Sequence, residues 1–506
     1  MNAAPSLDFL GVAPMLVIAL GSMVVLMLEV SLARAGSFLG RPATGVWRGT
    51  LLALVSVVFL GIVFGMSAHS FLAGSSHVFN LDHPMVRLDR FANFGIAVIA
   101  MASALVCLLS FAYLSELRIH HGEYYALILI ATLGTMLLVA ATDLLTIFLG
   151  IELMSIPIYV LAGFDRRKLQ SNESALKYFM IGSFASAILL YGMALLYGAT
   201  GKTELAAIRA AIEGGSATNP LLVAGMGLAL VGFAFKVSSV PFHQWTPDVY
   251  EGAPTSVTAY MSVTVKTAAF VALLRFLIAF EPLQESLIAV LWWLSVLTMI
   301  VGNVMAVIQN NVKRLLAYSS IAHAGYLLLG LLVATPEGYS AVLFYLLVYA
   351  FMNVGAFGVV IALAQHGRDC DRISDFAGLA QTRPGLAALM TLFLLALTGI
   401  PGTAGFVAKF MVFAAAVKEG YVGITIIAVL TSLVSVYYYL RIPVVMYMRE
   451  AGEEEPRAEL STGEMLVLAA CGFAVLFLGL FPNAAPGPLS GFRALDWARQ
   501  SVALFF

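Results

Sequence analysis

Five ionisable side chains stand in otherwise apolar runs of this sequence: Glu152, Lys236, Lys266, His323 and Lys409. A charge at the centre of a bilayer costs at least about 2.5 to 3.5 kcal/mol, so residues of this kind normally face a bundle interior and mark ion or proton paths. Lysine suits proton transfer because its affinity for a proton moves readily on burial, whereas arginine stays charged. Desolvation drives a buried lysine toward neutrality and a nearby carboxylate drives it back, so its neighbour decides. If Glu152 pairs with Lys236, that lysine keeps its proton, and separating the two releases it toward Lys266. Histidine titrates near neutral pH and can bridge donors. The five together read as a switchable proton wire. A static ion pair that fixes helix register would account for Glu152 and Lys236, but it leaves Lys266, His323 and Lys409 needing partners of their own. A lone histidine in an apolar helix is often only hydrogen-bonded packing.

The elements that must hold these residues are membrane helices. The chain has 506 residues, 61% hydrophobic and 11% charged, against about a quarter charged in soluble proteins. A span needs roughly 20 apolar residues, and such runs fall near 9–32, 49–68, 91–114, 124–141, 143–164, 174–199, 220–250, 254–280, 286–309, 313–335, 338–366, 384–419, 421–448 and 463–485. The predicted fold class is therefore an all-α integral membrane protein of about fourteen transmembrane helices. No large soluble domain fits between them, and a net charge of -1 without a basic stripe excludes a nucleic-acid footprint. Cys107, Cys370 and Cys471 match no zinc, haem or iron-sulfur spacing. The first apolar run lacks a basic flank and a small-residue cleavage site, and reads as a retained span.

Depth along a helix, at 1.5 Å per residue, places Glu152 roughly 13 Å past Asp143, Lys266 roughly 18 Å past Pro254 and His323 roughly 15 Å past Lys313. All three lie near mid-membrane. Lys236 and Lys409 flank two breaks. The run from Leu221 stops at Ser238-Ser239-Val240-Pro241, and the run from Gly385 stops at Thr398-Gly399-Ile400-Pro401-Gly402, because proline has no amide donor and clashes with the preceding turn. Interrupted spans at corresponding positions point to inverted repeats and a midplane ion site. The breaks sit five helices apart, an odd number, so the second copy enters from the other side. The expected division is a three-helix segment at 1–115, repeats at 116–283 and 284–450, and a final helix and tail at 451–506, with one broken helix in each repeat.

Alternate loops carry Arg34, Arg41 and Arg48; Arg118; Arg166, Arg167 and Lys168; Lys313 and Arg314; Arg368 and Arg372; and Arg441, Arg449 and Arg457. The opposite set is poorer, chiefly Arg87, Arg90, Lys202, Arg209, Lys418, Arg493 and Arg499. Basic loops stay cytoplasmic, so both termini are predicted on the non-cytoplasmic side. Lys177 and Arg275 are expected to snorkel to the interface. Asp248 and Glu251 either cap the bend after the first break or line an access path. The segment Gly452 to Arg457 reads as a solvated loop, and Tyr437, Tyr438 and Tyr439 as packing or interface anchors.

The stretch FKVSSVPFHQWTPDVYEGAPTSVTAYMSVTVKTAAF, together with ATDLLTIFLGIELMSIPIYVL, ESALKYFMIGSFASAILLYG, NNVKRLLAYSSIAHAGYLLLG and GIPGTAGFVAKF, resembles the signature of the antiporter-like subunits of respiratory complex I, most closely the N type. The resemblance covers roughly 120–415. It implies a membrane-arm subunit of a NADH:quinone oxidoreductase in a bacterial inner membrane, pumping protons as quinone is reduced elsewhere. Glu152 matches the family's helix 5 glutamate, Lys236 its helix 7 lysine, Lys266 its helix 8 lysine and Lys409 its helix 12 lysine, and His323 matches the polar relay position between half-channels. A lysine at 409 favours the N or L type over the M type, and the absence of a long lateral helix after helix 14 favours N. The resemblance further implies that this chain binds no cofactor, with NADH, FMN, iron-sulfur clusters and quinone in other subunits, and that M-type and small K-type subunits are its neighbours beside the lipid bilayer. An Mrp-type cation/proton antiporter subunit shares the signature, and a non-pumping spacer of the membrane arm is a third reading.

Overall fold

The computed structural model describes residues 7–38, 46–365, 367–450, 460–483 and 493–505. Arg41, Arg457 and the segment Gly452 to Arg457 lie outside the described residues, as does the side chain of Arg34.

Hydrocarbon offers no hydrogen bonds, so a chain this apolar must satisfy its backbone internally, which helices do. The helices in order are α1 (Ala13–Phe38), α2 (Val46–Ala73), α3 (Arg90–Glu116), α4 (Glu123–Ala140), α5 (Leu144–Ala162), α6 (Leu169–Thr200), α7 (Leu205–Glu213), α8 (Pro220–Val237), α9 (Trp245–Gly252) and α10 (Thr255–Tyr260). They continue with α11 (Lys266–Ala279), α12 (Gln284–Val307), α13 (Val312–Leu332), α14 (Pro336–Leu363), α15 (Leu379–Thr382), α16 (Pro384–Thr398), α17 (Ala404–Lys418), α18 (Val422–Met448), α19 (Thr462–Leu480) and α20 (Ala494–Val502). Short side chains that accept from the first turn begin many of them: Asp89 for α3, Asp143 for α5, Asn219 for α8, Asn311 for α13 and Ser461 for α19.

Among the described residues thirteen segments are long and apolar enough to cross a membrane. The pair α16 and α17 makes a further crossing in two pieces, so the fourteen-span expectation matches the structure. The neighbour relations also repeat: α4 packs on α5, α5 on α6, α6 on α8 and α4 on α11, and correspondingly α12 on α13, α13 on α14, α14 on α16 and α17, and α12 on α18. The odd number of crossings per set inverts one against the other. The α13 span is wholly enclosed and the α10 to α11 span nearly so. These two carry His323 and Lys266.

Two polar clasps close the ends of the bundle. At the face with the basic loops, Asp369 accepts from Tyr113 Oη at 2.6 Å, Thr255 Oγ1 at 2.9 Å and Lys168 Nζ at 3.1 Å, with Lys313 Nζ 4.0 Å away. One carboxylate thus joins the end of α3, the starts of α10 and α13, and the segment before α6. Burial alone would raise the Asp369 carboxyl, but Lys313, Lys168 and the hydrogen bonds outweigh it and hold the group at about 2. At the opposite face the expectation for Arg275 is overturned. It does not snorkel; it is buried, donates to both oxygens of Asp89 at 3.0 and 3.1 Å, and lies between the Phe91 and Phe505 rings. The cause is that Asp89, as the cap of α3, faces α11 across a closed apolar wall that offers the guanidinium a partner nearer than water.

Removing one partner from a buried ionic cluster strands the others, at a cost of about 3 to 5 kcal/mol. Asp369→Asn is therefore expected to lower the thermal midpoint of the solubilised protein at neutral pH. The stability from this depressed carboxyl is fully present above its unfolded value of about 4. It is lost as pH falls through about 2, so the difference between variant and wild type should shrink in acid. A constant difference across pH would refute this account.

Candidate functional site

The first break is built from local sequence. Ser238 takes a left-handed conformation, with φ 63°, and ends α8; the Val240–Pro241 peptide that follows is cis. The orphaned backbone groups find side-chain partners: Trp245 Nε1 donates to Phe235 O at 3.1 Å, and Val240 N donates to Thr298 Oγ1 at 2.9 Å. Trp245 stacks on Tyr178 with centroids 4.5 Å apart. The break leaves Lys236 in the last turn of α8, 3% exposed. Its Nζ donates to Ser155 Oγ at 2.7 Å and lies 5.5 to 6.0 Å from the Phe235, Tyr178 and Tyr159 ring centroids.

Glu152 does not form the anticipated direct pair with Lys236. It is half-buried and accepts a hydrogen bond from Ser186 Oγ on α6. Residues three apart share a helix face, and Ser155, one turn along α5, takes the lysine instead.

Lys266 follows a π-helical turn, Met261–Val265, a wide turn frequent at functional sites. Its Nζ donates to Ser320 O at 2.6 Å and to Ser320 Oγ. Nearby on α14, the Tyr349 hydroxyl and both polar atoms of the Asn353 carboxamide are buried, with no partner of hydrogen-bonding geometry among the described residues. Groups at such depth are ordinarily satisfied by internal water. His323, three residues beyond Ser320, has both ring nitrogens engaged: Nδ1 with Tyr345 Oη at 2.6 Å and Nε2 with Tyr439 Oη at 3.2 Å.

The second break uses glycine where the first uses serine. Gly399 ends α16 at φ 90°, and a Cβ placed there would meet Lys409 Cδ at 3.0 Å. The Lys409 stem folds into that space, and its Nζ donates to the freed Thr398 O at 2.8 Å and to Ser432 Oγ at 2.8 Å. It lies 5.0 Å from the Tyr326 ring centroid. Among the described residues, none of Lys236, Lys266 and Lys409 forms an ion pair; each ammonium meets only hydroxyl or carbonyl oxygen. The structure thus brings Lys266 and His323 together on opposite sides of Ser320, and Lys236 with Ser155 beside Glu152.

Asp248 and Glu251 do not cap the bend, since α9 has no side-chain cap; they accept from Arg314 at 2.7 and 2.9 Å and border a cavity of about 160 Å³. Lys177 reaches Asp248 at 3.0 Å and Glu173 at 2.6 Å. Glu251 also borders a larger cavity of about 1210 Å³ with Asp369, Asp371, Arg368 and Arg441. Among the described residues no group of three or more His, Cys, Asp or Glu side chains is placed to hold a metal ion.

Sequence reasoning overlooked the hydroxyls. Ser155, Ser320 and Ser432 hold the lysines, and the tyrosine run divides: Tyr437 is 61% exposed whereas Tyr438 and Tyr439 are buried and hydrogen-bonded. The available signal was spacing, because Ser432, Ser435 and Tyr439 recur at helical intervals on α18 and form a polar stripe.

A family model described as NADH:quinone oxidoreductase/Mrp antiporter, transmembrane, matches residues 141–435. NADH-quinone oxidoreductase subunit N of Trichlorobacter lovleyi is 48% identical over 421 residues, covering 83% of this chain and 85% of the relative. The chain belongs to the NADH-quinone oxidoreductase subunit N family. Subunit N 1 of Sorangium cellulosum, another member of the family, is 43% identical and covers 95% of this chain and 97% of its own. A chain of respiratory complex I from Thermus thermophilus with bound aureothin superimposes with a TM-score of 0.74 at 33% identity, covering 91% of this chain and 97% of that one. A chain of the Mrp complex from Dietzia shares the fold, with a TM-score of 0.84 at 22% identity over 98% of both.

At Gly399, alanine adds both left-handed strain of about 1 to 2 kcal/mol and a collision with the Lys409 stem. At Gly402, where φ is 91°, an added Cβ would meet nothing within 4 Å. Both Gly399→Ala and Gly402→Ala are therefore expected to lower the thermal midpoint, Gly399→Ala further, and only Gly399→Ala is expected to reduce quinone reductase activity of the assembled enzyme. Equal midpoints and equal activity in the two variants would show that the position of the Lys409 stem is immaterial.

Proposed function

We propose that this chain moves protons across the membrane through Glu152, Lys236, Lys266, His323 and Lys409, driven by quinone reduction elsewhere in the enzyme. One observation carries the reading: three lysines are buried at the axis of the bundle with only neutral oxygen partners. An ammonium bound by a carboxylate is a fixed strut. An ammonium bound by hydroxyls and carbonyls has no counter-charge to hold it in place, so it can give up its proton and regain it. Ser155 holding Lys236 one turn along α5 from Glu152 supports a switch, because a small movement of α5 against α8 would make or break the charge pair.

In this reading the face with the basic loops is cytoplasmic, the membrane is a bacterial inner membrane, and both termini lie on the other side. Residues 116–283 and 284–450 act as two half-channels joined at Lys266 and His323, with 1–115 and 451–506 flanking them. NADH, FMN, iron-sulfur clusters and quinone belong to other subunits. The half-exposed position of Glu152 supports a neighbouring membrane-arm subunit over α5 and α6, with M-type and small K-type subunits as the candidates. The identity to subunit N relatives favours this over an Mrp-type antiporter, to which the likeness is one of fold.

In inverted membrane vesicles containing the assembled complex, Glu152→Gln and Lys236→Ala should reduce proton pumping and quinone reductase activity together, by about tenfold or more if proton transfer limits turnover. Lys266→Arg, which keeps the charge but cannot release the proton, should fall as far as Lys266→Ala. Full, coupled pumping in Glu152→Gln and Lys236→Ala would sink the proposal. Variants that fail to assemble while residual complex pumps normally would point to a spacer.

A further inference from the structure

The segment between Lys266 and His323 contains a group with no assigned role. Tyr439, on α18, is fully buried, and its hydroxyl is hydrogen-bonded both to Ser319 Oγ and to His323 Nε2, the latter at 3.2 Å. Ser319 is adjacent on α13 to Ser320, which takes two hydrogen bonds from Lys266. We propose that the Tyr439 hydroxyl carries the proton from the Lys266 side to His323, an assignment that rests on the relay reading above.

The transfer balances without an oxidant or a charged intermediate on the phenol. As Tyr439 gives its proton to His323 Nε2, its O–H bond breaks and an N–H bond forms; the phenol oxygen takes a replacement proton from Ser319 Oγ, which is itself resupplied from the Lys266 ammonium by way of Ser320. The phenol ends neutral, the imidazole ends as imidazolium, and one proton has advanced. The step from Ser320 to Ser319 is the one link in this segment without a hydrogen bond, because consecutive helical residues do not face each other; it requires an internal water that accepts from one hydroxyl and donates to the other. Tyr345, 2.6 Å from His323 Nδ1, is the positioning residue. By accepting from Nδ1–H it keeps the neutral imidazole in the tautomer whose Nε2 lone pair faces Tyr439.

The adjacent tyrosine supplies an internal contrast. Tyr438 is as deeply buried, but its hydroxyl donates to Asn303 Oδ1 at 3.0 Å, and Asn303 Nδ2 donates to Tyr326 Oη at 3.1 Å. A carboxamide has fixed donors and a fixed acceptor, so a proton does not hop across it. That branch holds α12, α13 and α18 in register and does not conduct.

The test uses the assembled complex in membrane vesicles, with proton uptake and NADH:quinone reductase activity measured together. Tyr439→Phe should lower pumping about tenfold or more, the scale of a lost proton-transfer group, while Tyr438→Phe stays within about twofold of wild type. Wild-type pumping by Tyr439→Phe overturns the proposal, as does an equal fall in Tyr438→Phe, which would mark loss of packing. A fluorinated tyrosine at 439 keeps the shape and the hydrogen bonds while making the phenol more acidic; it should shift the pH profile of pumping, and the same analogue at 438 should not. An unmoved profile at 439 also overturns the assignment. Lys266→Ala measured in parallel separates the two levels: if it is inactive while Tyr439→Phe pumps, only the tyrosine assignment fails, and if both pump, the relay reading fails with it.

Discussion

A lysine buried in hydrocarbon whose direct partners are neutral oxygens is the constraint around which this bundle is arranged. Taking an ion out of water costs several kcal/mol even after the protein relaxes, and three lysines accept that cost at the centre of the chain. Their compensation is a set of oxygen atoms aimed at each Nζ: Ser155 for Lys236, Ser320 for Lys266, Thr398 and Ser432 for Lys409. In an intact helix such oxygens are already paired, and Lys266 shares the Ser320 carbonyl of α13. At Lys409 the chain solves this by ending α16 at Gly399, which frees the carbonyl that the lysine then occupies.

The two breaks therefore serve different ends with similar means. In the first, Trp245 and Thr298 consume the freed backbone groups, so the lysine is left to a serine on another helix and to a cage of aromatic rings. In the second, the lysine itself consumes the freed group. Lys236 is accordingly held from α5, whereas Lys409 is held by its own break and by Ser432 on α18. This asymmetry matches the placement of Glu152, the acidic member, beside the first site.

Much of this is legible without coordinates. The spans, the two breaks and the five ionisable residues follow from hydropathy, from proline and glycine, and from the expense of charge in apolar runs, each a local property. What stays hidden depends on who faces whom. Serines inside apolar helices look like neutral filler because a hydroxyl bonded to its own helix carries no mark in sequence, and Ser155 differs from Ser183 only in what lies across from it. Arg275 looks like a residue near a helix end, and its partner Asp89, the cap of α3, lies far away in the chain. Asp369 looks like one acidic residue of a polar loop, although it is the carboxylate on which α3, α10 and α13 converge.

The division between arginine and lysine then acquires a physical meaning. Where the bundle needs permanent charge it uses arginine with carboxylate, as at Arg275 and Asp89, or lysine against an acid held ionised, as at Asp369, and both arrangements lie toward the ends of the bundle. Along the axis it uses lysine and histidine with hydroxyl or carbonyl neighbours. A register-fixing role would favour the first kind of contact everywhere, because a fixed pair resists sliding and does not exchange protons. The second kind resists sliding less, and under the proposed relay it is what leaves the protons exchangeable. On the two most enclosed spans, Lys266 and His323 meet only contacts of the second kind.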